Sequence, residues 1–331
     1  MAAPAEPHWR EDPVTRERVI IAPLRAARPF TAPALAAGPP YDAARDPFAP
    51  GNESETPPEI AAVRAGGAPA DGVGWTTRLV PNRYPALTPN CVAPAPGPGG
   101  PGHGFHEVLI ESPGMEPFDE LPPARAADAL VLLARRVAEL YREPGVAAVE
   151  VFKNHGRLAG ASLEHPHFQL LALPFLPART AAVVDSVKEY AARTGRDLGA
   201  DHVAGEEAAV ERLLHRSPRF LCACPFASRV PFEQALWRLG GAAPFHGEPE
   251  DALSEAAEQF RAMVRRMRRA CGDPPYNALL RSLPPGCGAA LPWSLHLLPR
   301  RGVFGGFEWA TGAYINSTPP EDAAARLRAA V

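Results

Sequence analysis

The segment His165 to Pro174, HPHFQLLALP, constrains this chain more than any other. It starts polar and ends apolar and reads as a strand. Side chains two apart on a strand share a face, so an extended backbone sends His165, His167 and Gln169 one way and Pro166 and Phe168 the other. A polar row on an otherwise apolar strand calls for a chemical role. The loop before it holds Gly156, Gly160 and Ser162, next to Asn154. Glycines let a backbone approach an anion closely, and Ser162 and Asn154 add side-chain donors. Phosphoryl chemistry fits: a neutral imidazole is a competent nucleophile at phosphorus, and Gln169 can donate to a non-bridging oxygen. Spacing alone leaves three readings open for the histidines, namely nucleophile, metal ligand, or satisfied polar residue.

The rest of the chain bounds these readings. At 331 residues it is long enough for one large core or two coupled ones, and 46% hydrophobic content supports a packed interior. The 34 Lys and Arg against 37 Asp and Glu give a net charge of -3, which argues against a broad nucleic-acid surface. Proline is abundant, 41 of 331, so the loops are stiff. Cys91, Cys222, Cys224, Cys271 and Cys287 form no CxxC and no even framework, which points to reduced thiols. The first residues hold no apolar signal region, and no run of 18 apolar residues occurs. A cytoplasmic protein with no membrane partner is expected.

Apolar spacing predicts helices over 122–143, 181–194 and 253–269, and at the C-terminus. Strands are expected at 18–23, 106–112, 147–154 and 165–174, then in RFLCACP, ALWRLG, YNALLRSL and WSLHLLPR. Residues 28–58 read as a proline-rich wrap and 93–104 as a loop. Thr318 to Glu321 has the pattern of a capping box for the last helix. The order of elements repeats weakly, and no βαβ alternation runs through the chain. This predicts an α+β fold of two tandem halves, residues 1–200 and 201–331, with mostly antiparallel sheets flanked by helices.

The run from Asn154 to Gln169 matches N-x-G-x-x-x-G-x-S-x-x-H-P-H-x-Q. It resembles the active-site signature of the galactose-1-phosphate uridylyltransferase family, a two-half branch of the histidine triad superfamily. DPVTRERVIIAPLRAARPF, PGNESETPPE, LVPNRYPAL, GFHEVLIESP, CPFASRVPFE and GGFEWATGAYINSTPPE fall in the family's order, so the resemblance covers nearly the whole chain. It implies that His167 becomes covalently nucleotidylated while Gln169 stabilises the phosphoryl group. By the same resemblance Asn154, Gly156 and Ser162 lie at the phosphates, Arg25 and Arg28 beside them, Asn82 near the nucleotide, and Phe307 and Glu308 at the sugar. The implied halves are histidine-triad-like, and relatives often pair as homodimers.

The chain also departs from the family. Relatives commonly carry a CPFC zinc knuckle, whereas this chain reads Asp46-Pro47-Phe48-Ala49. Asp46, His106 and His165 are the remaining metal candidates, and a closed zinc site wants four ligands, usually with sulfur. No metal and no cofactor are therefore expected. In the second half Pro292 and Ser294 stand where relatives often have histidines. The expected activity is movement of a nucleoside monophosphate, with uridine the preferred base, between a nucleotide donor and a sugar 1-phosphate. The alternatives are an ADP-sugar phosphorylase, a transferase that uses a nucleoside triphosphate, and a catalytically silent nucleotide-binding protein. Under the first class His167 is indispensable; under the last it is not.

Overall fold

The computed structural model describes residues 6–27, 41–64, 66–91 and 99–330. Strands β1 (His8–Glu11), β2 (Arg18–Ile21), β3 (Ala61–Arg64), β4 (Trp75–Pro81) and β5 (Phe105–Ile110) lead to helix α1 (Pro123–Leu140). Then come β6 (Ala148–His155), β7 (His167–Leu173), α2 (Ala178–Thr194) and α3 (Leu198–Ala208). The chain goes on through β8 (Leu213–Arg216), β9 (Phe220–Ala223), β10 (Gln234–Arg238) and α4 (Glu250–Cys271). It ends with β11 (Tyr276–Arg281), β12 (Ser294–Pro299), α5 (Gly306–Thr311), β13 (Tyr314–Asn316) and α6 (Pro320–Ala329).

Ten strands make one antiparallel sheet in the order β3-β4-β5-β7-β6-β11-β12-β10-β9-β8. Its centre is the β6–β11 pair, in register from His155↔Tyr276 to Val151↔Leu280. Helices α1 and α4 pack together on one face. Alternation explains why that face is dry: Leu79, Leu109, Val151, Leu170, Ala278 and Leu297 all join the core cluster that includes Leu133, Phe260 and Met263 of the helices. The apolar stripe read over 122–143 is thus the buried face of α1. On a separate three-stranded sheet, β13 runs parallel to β2 and β2 antiparallel to β1, tying the C-terminal segment to the N-terminal one. The fold is α+β, with large antiparallel sheets flanked by helices. No helix among the described residues is long and apolar enough to cross a membrane.

Several local expectations change. The strand predicted from His165 begins at His167, because Pro166 has no N–H to give to the ladder. The capping box does not form: Pro319 is the N-cap of α6 with no side-chain bond, and Asn316 Oδ1 takes the Thr318 amide instead. Helix α3 and strands β1, β3, β4, β8 and β13 were not expected. Four of those strands are only three or four residues long, too short for period-two alternation to stand out. Of the proline-rich wrap, residues 28–40 lie outside the described residues, as do 92–98 of the glycine and proline loop. Arg265 and Arg268 of α4 reach residue 119 at the turn before α1: both donate to Asp119, and Arg268 also pairs with Glu120. Cys222 and Cys224 are free and buried, and burial pushes the Cys222 thiol up to about 11, as inert packing requires.

Phe260 of α4 lies wholly inside, its ring centroid 4.6 Å from Phe118 and 6.3 Å from Phe168, directly behind the strand that bears His167. Phe260→Ala should cost about 3–5 kcal/mol in denaturant unfolding, because transfer and cavity terms add. A loss under about 1 kcal/mol would mean that the helix layer does not support that strand.

Candidate active site

Across the sheet from α1 and α4, the alternate residues of β5, β7 and β4 open into a cavity of about 660 Å³. Phe48, Val80, Asn82, Ser162, His167 and Gln169 line it. The lining mixes apolar side chains with a few polar ones, as expected of a site that holds a small molecule and orients it.

His167 is buried, and its Nδ1 lies 2.7 Å from the main-chain oxygen of His165. A carbonyl can only accept, so the proton sits on Nδ1 and Nε2 keeps its lone pair. Burial is the main force on the ring and pulls its pKa down to about 4, against the raising effect of that hydrogen bond. The side chain is neutral at pH 7.

Gln169 is oriented from β5. His106 Nδ1 accepts the Ala86 amide at 3.1 Å, so its Nε2 carries the proton and donates to Gln169 Oε1 at 2.9 Å. The amide nitrogen of Gln169 is left to act as a donor. Asn82 sits beside the same Nε2 at 3.2 Å, and its Oδ1 accepts the Tyr84 amide. The expected residues Asn82, Ser162, His167 and Gln169 therefore meet at one cavity.

The glycine loop is built differently from expectation. Gly156 adopts φ +81, and a Cβ there would lie 2.9 Å from Pro275, so backbone shape and packing against Pro275 already require glycine. Asn154 does not face the cavity through its oxygen: Oδ1 accepts from Asn277 at 2.8 Å, and Asn277 also donates to the Ala159 carbonyl at 2.8 Å. The two asparagines tie the end of β6 to the middle of the loop. Asn277 was missed by sequence reading, although a polar residue alternating with apolar neighbours on YNALLR is the signal that singled out His167.

Other assigned residues lie elsewhere. Arg25 is exposed in the turn Pro23–Ala27 and is not among the described residues that line this cavity, and Arg28 lies outside the described residues. Glu308 borders a separate cavity of about 230 Å³ with Arg300, Trp309 and Tyr314, and Phe307 precedes it on α5. Within one chain Phe307 and Glu308 are not among the described residues that line the cavity holding His167. The candidate metal ligands are already engaged. His106 is bonded as above; His165 meets the Asp46 carboxylate at 2.6 Å through Nδ1 and the Ser112 carbonyl at 2.8 Å through Nε2. With both ring nitrogens of both histidines so occupied, these residues do not fit a tetrahedral zinc site. No group of three or more ligand residues suited to a metal occurs among the described residues.

The chain is 31% identical to ADP-glucose phosphorylase of Arabidopsis thaliana over 334 positions, covering 97% of this chain and 92% of that protein. It belongs to the galactose-1-phosphate uridylyltransferase family. A family described as "Domain of unknown function (DUF4921)" matches residues 120–331. The crystal structure of the Arabidopsis ADP-glucose phosphorylase with bound ADP-glucose superposes with a TM-score of 0.83 at 30% identity, over 98% of each chain. The galactose-1-phosphate uridylyltransferase of Rattus norvegicus is 29% identical over 246 residues, 69% of this chain and 59% of that protein. The family's members are enzymes, and this chain is one of its sugar-phosphate nucleotidyltransferase-like enzymes.

Because His167 becomes protonated only near pH 4, a reaction that uses its lone pair should keep its single-turnover rate level as pH falls from 7 to 5. The rate should then decline with an inflection near 4. An inflection near the 6.5 of a free imidazole would contradict the buried, carbonyl-bonded ring.

Proposed function

We propose that the protein transfers a nucleoside monophosphate between a nucleotide sugar and a phosphate acceptor through a covalent nucleotidyl-His167. The observation that carries this is the Nδ1–H tautomer of His167, which leaves the Nε2 lone pair available in the cavity that Gln169 and Ser162 also line. In the first step Nε2 attacks the α-phosphorus and forms a P–N bond. The P–O bond to the β-phosphate breaks, and sugar 1-phosphate leaves with the electron pair. In the second step an acceptor phosphate oxygen attacks the same phosphorus and returns the electron pair to Nε2. The Gln169 amide and the Ser162 hydroxyl would donate to the non-bridging oxygens, where charge builds in each transition state. Positioning and electrostatics supply the rate, and a neutral nucleophile avoids the cost of stripping a proton.

For the donor we favour an ADP-sugar, which moves the reading from uridine toward adenosine. The support is the extent of likeness: the relative named ADP-glucose phosphorylase aligns with 97% of this chain, while the rat uridylyltransferase aligns with 69%. With inorganic phosphate as acceptor the products would be ADP and sugar 1-phosphate. Incubation with ADP-glucose or UDP-glucose without acceptor, followed by intact-protein mass, tests both steps of the reading. We expect a gain of one AMP in the wild type and none in His167→Ala. A UMP adduct alone would restore the uridylyl reading, and a folded, nucleotide-binding protein that takes no label would leave the silent binder.

Glu308 borders a cavity other than the one that holds His167, which suits a sugar pocket completed by a second copy, and we propose the dimer as the active form. Mixing inactive His167→Ala with inactive Glu308→Ala and allowing exchange should then restore part of the activity. Failure of such mixtures, with exchange demonstrated, would place the whole site in one chain.

A further inference from the structure

Asp46 stands where relatives begin a metal knuckle, and its surroundings are built for a different task. It is 7% exposed. Its Oδ2 is 2.6 Å from His165 Nδ1 and accepts the Tyr41 hydroxyl at 2.9 Å, while Oδ1 accepts the Phe48 amide at 2.9 Å. Burial pushes the carboxyl up, but the bonds from His165 and from the Phe48 amide outweigh it and hold the group below the usual carboxylate range. It is a carboxylate with every partner a donor.

The consequence runs into the nucleophile. His165 is fixed at both ring nitrogens, by Asp46 and by the Ser112 carbonyl. Phe48, whose amide Asp46 holds, sets its ring edge-on to both imidazoles, with centroids 6.0 Å from His165 and 5.4 Å from His167. The His165 backbone therefore cannot shift without breaking this network, and it is the His165 carbonyl that takes the Nδ1 proton of His167. We propose that Asp46 is a positioning residue that sets the tautomer and aim of His167 through His165, replacing a metal centre with a hydrogen-bonded one. This rests on His167 being the nucleophile. Loss of the outer partners that orient a metal-bound imidazole typically costs about 10–100-fold, and orientation of a nucleophilic imidazole rests on the same kind of bond.

The test uses the full chain with ADP-glucose as donor in Asp46→Asn, Asp46→Ala and Tyr41→Phe. The single-turnover nucleotidylation rate should fall about 10–100-fold in Asp46→Ala and less in Asp46→Asn, which keeps one acceptor oxygen. Donor affinity should stay within about threefold, so the loss appears in the chemical step and not in binding. Nitrogen-15 spectra of the histidine rings supply the readout that a merely structural role would not move: a single Nδ1–H tautomer of His167 in the wild type and a mixture in Asp46→Ala. Tyr41→Phe, at the exposed end of the network, should fold and lose only a few-fold in rate, about 2–5. If Asp46→Ala does not fold, Asp46→Asn and Tyr41→Phe decide the matter by the same readouts. Unchanged rate and tautomer in folded variants would overturn the inference, as would loss of transfer on EDTA dialysis that zinc restores. Should the wild type accept no nucleotide at all, the transferase reading falls, while the tautomer comparison still decides the role of Asp46.

Discussion

Everything at the site depends on the pairing of β6 with β11. It joins strands about 120 residues apart in sequence and places Asn277 directly opposite Asn154. Without that register the Asn277 amide could not reach both Asn154 and the Ala159 carbonyl, and the glycine loop would lose its clamp. The same pairing makes one continuous sheet from ten strands, so that α1 and α4 can bury one face together. The opposite face is then left for chemistry, which is why the site lies on the sheet rather than between helices.

The register also shows how the surroundings of His167 differ from those of the matching position across the sheet. A row crosses the sheet from Val108 to Gln169, Phe152, Leu279, His296 and Ala235. Its midpoint lies between Phe152 and Leu279, so Gln169 and His296 occupy matching places, as do His167 and Ser294 two residues earlier on each strand. In the first half this position opens into a cavity. In the second, Ser294 bonds to His296 at 3.1 Å, and His296 faces Glu233, which is itself paired with Arg229. Helix α3 then covers the neighbouring positions, with Val203 packed against Ala223, Ala235 and Trp237. In the second half the matching position thus holds hydrogen-bonded side chains, and His296 borders a cavity of its own, about 410 Å³, with Arg229 and Arg281.

What could be read from the sequence was what alternation and local spacing encode. The helical stripe of α1, the strand bearing His167 and Gln169, and the antiparallel α+β character all arise from neighbours within a few residues. Contacts that close long loops were hidden: Asp46 reaches His165 across 119 residues, and β13 returns to β2 from the far end of the chain. Residue identity misled in places. Histidine at 106 suggested a ligand, but its partners are an amide and a glutamine, and the glycine at 156 also answers to backbone shape and to Pro275, which spacing did not show. In each case the type of residue was informative and its partner was not, because the partner is set by tertiary packing.

The state of His167 follows first from burial and then from a charge behind the strand that bears it. On the helix side, next to the core, Lys153 and Glu111 are fully buried and paired, with the ammonium also 5.5 Å from the Phe168 ring. Burial pushes Glu111 up and Lys153 down, and their mutual attraction opposes both shifts. Such a pair is weak evidence for stability, since desolvation offsets much of the attraction. Its position gives it another effect. After burial, which is the larger cause, the Lys153 charge is among the influences that lower the His167 pKa, and it acts from the face opposite to the cavity. A substrate phosphate brought to the cavity would add negative charge and raise the pKa of a free imidazole. Burial and a cation behind the strand counter that pull, and the His165 carbonyl fixes which nitrogen stays bare. Neutrality and direction, the two properties a nucleophilic imidazole needs, are therefore set by separate parts of the fold.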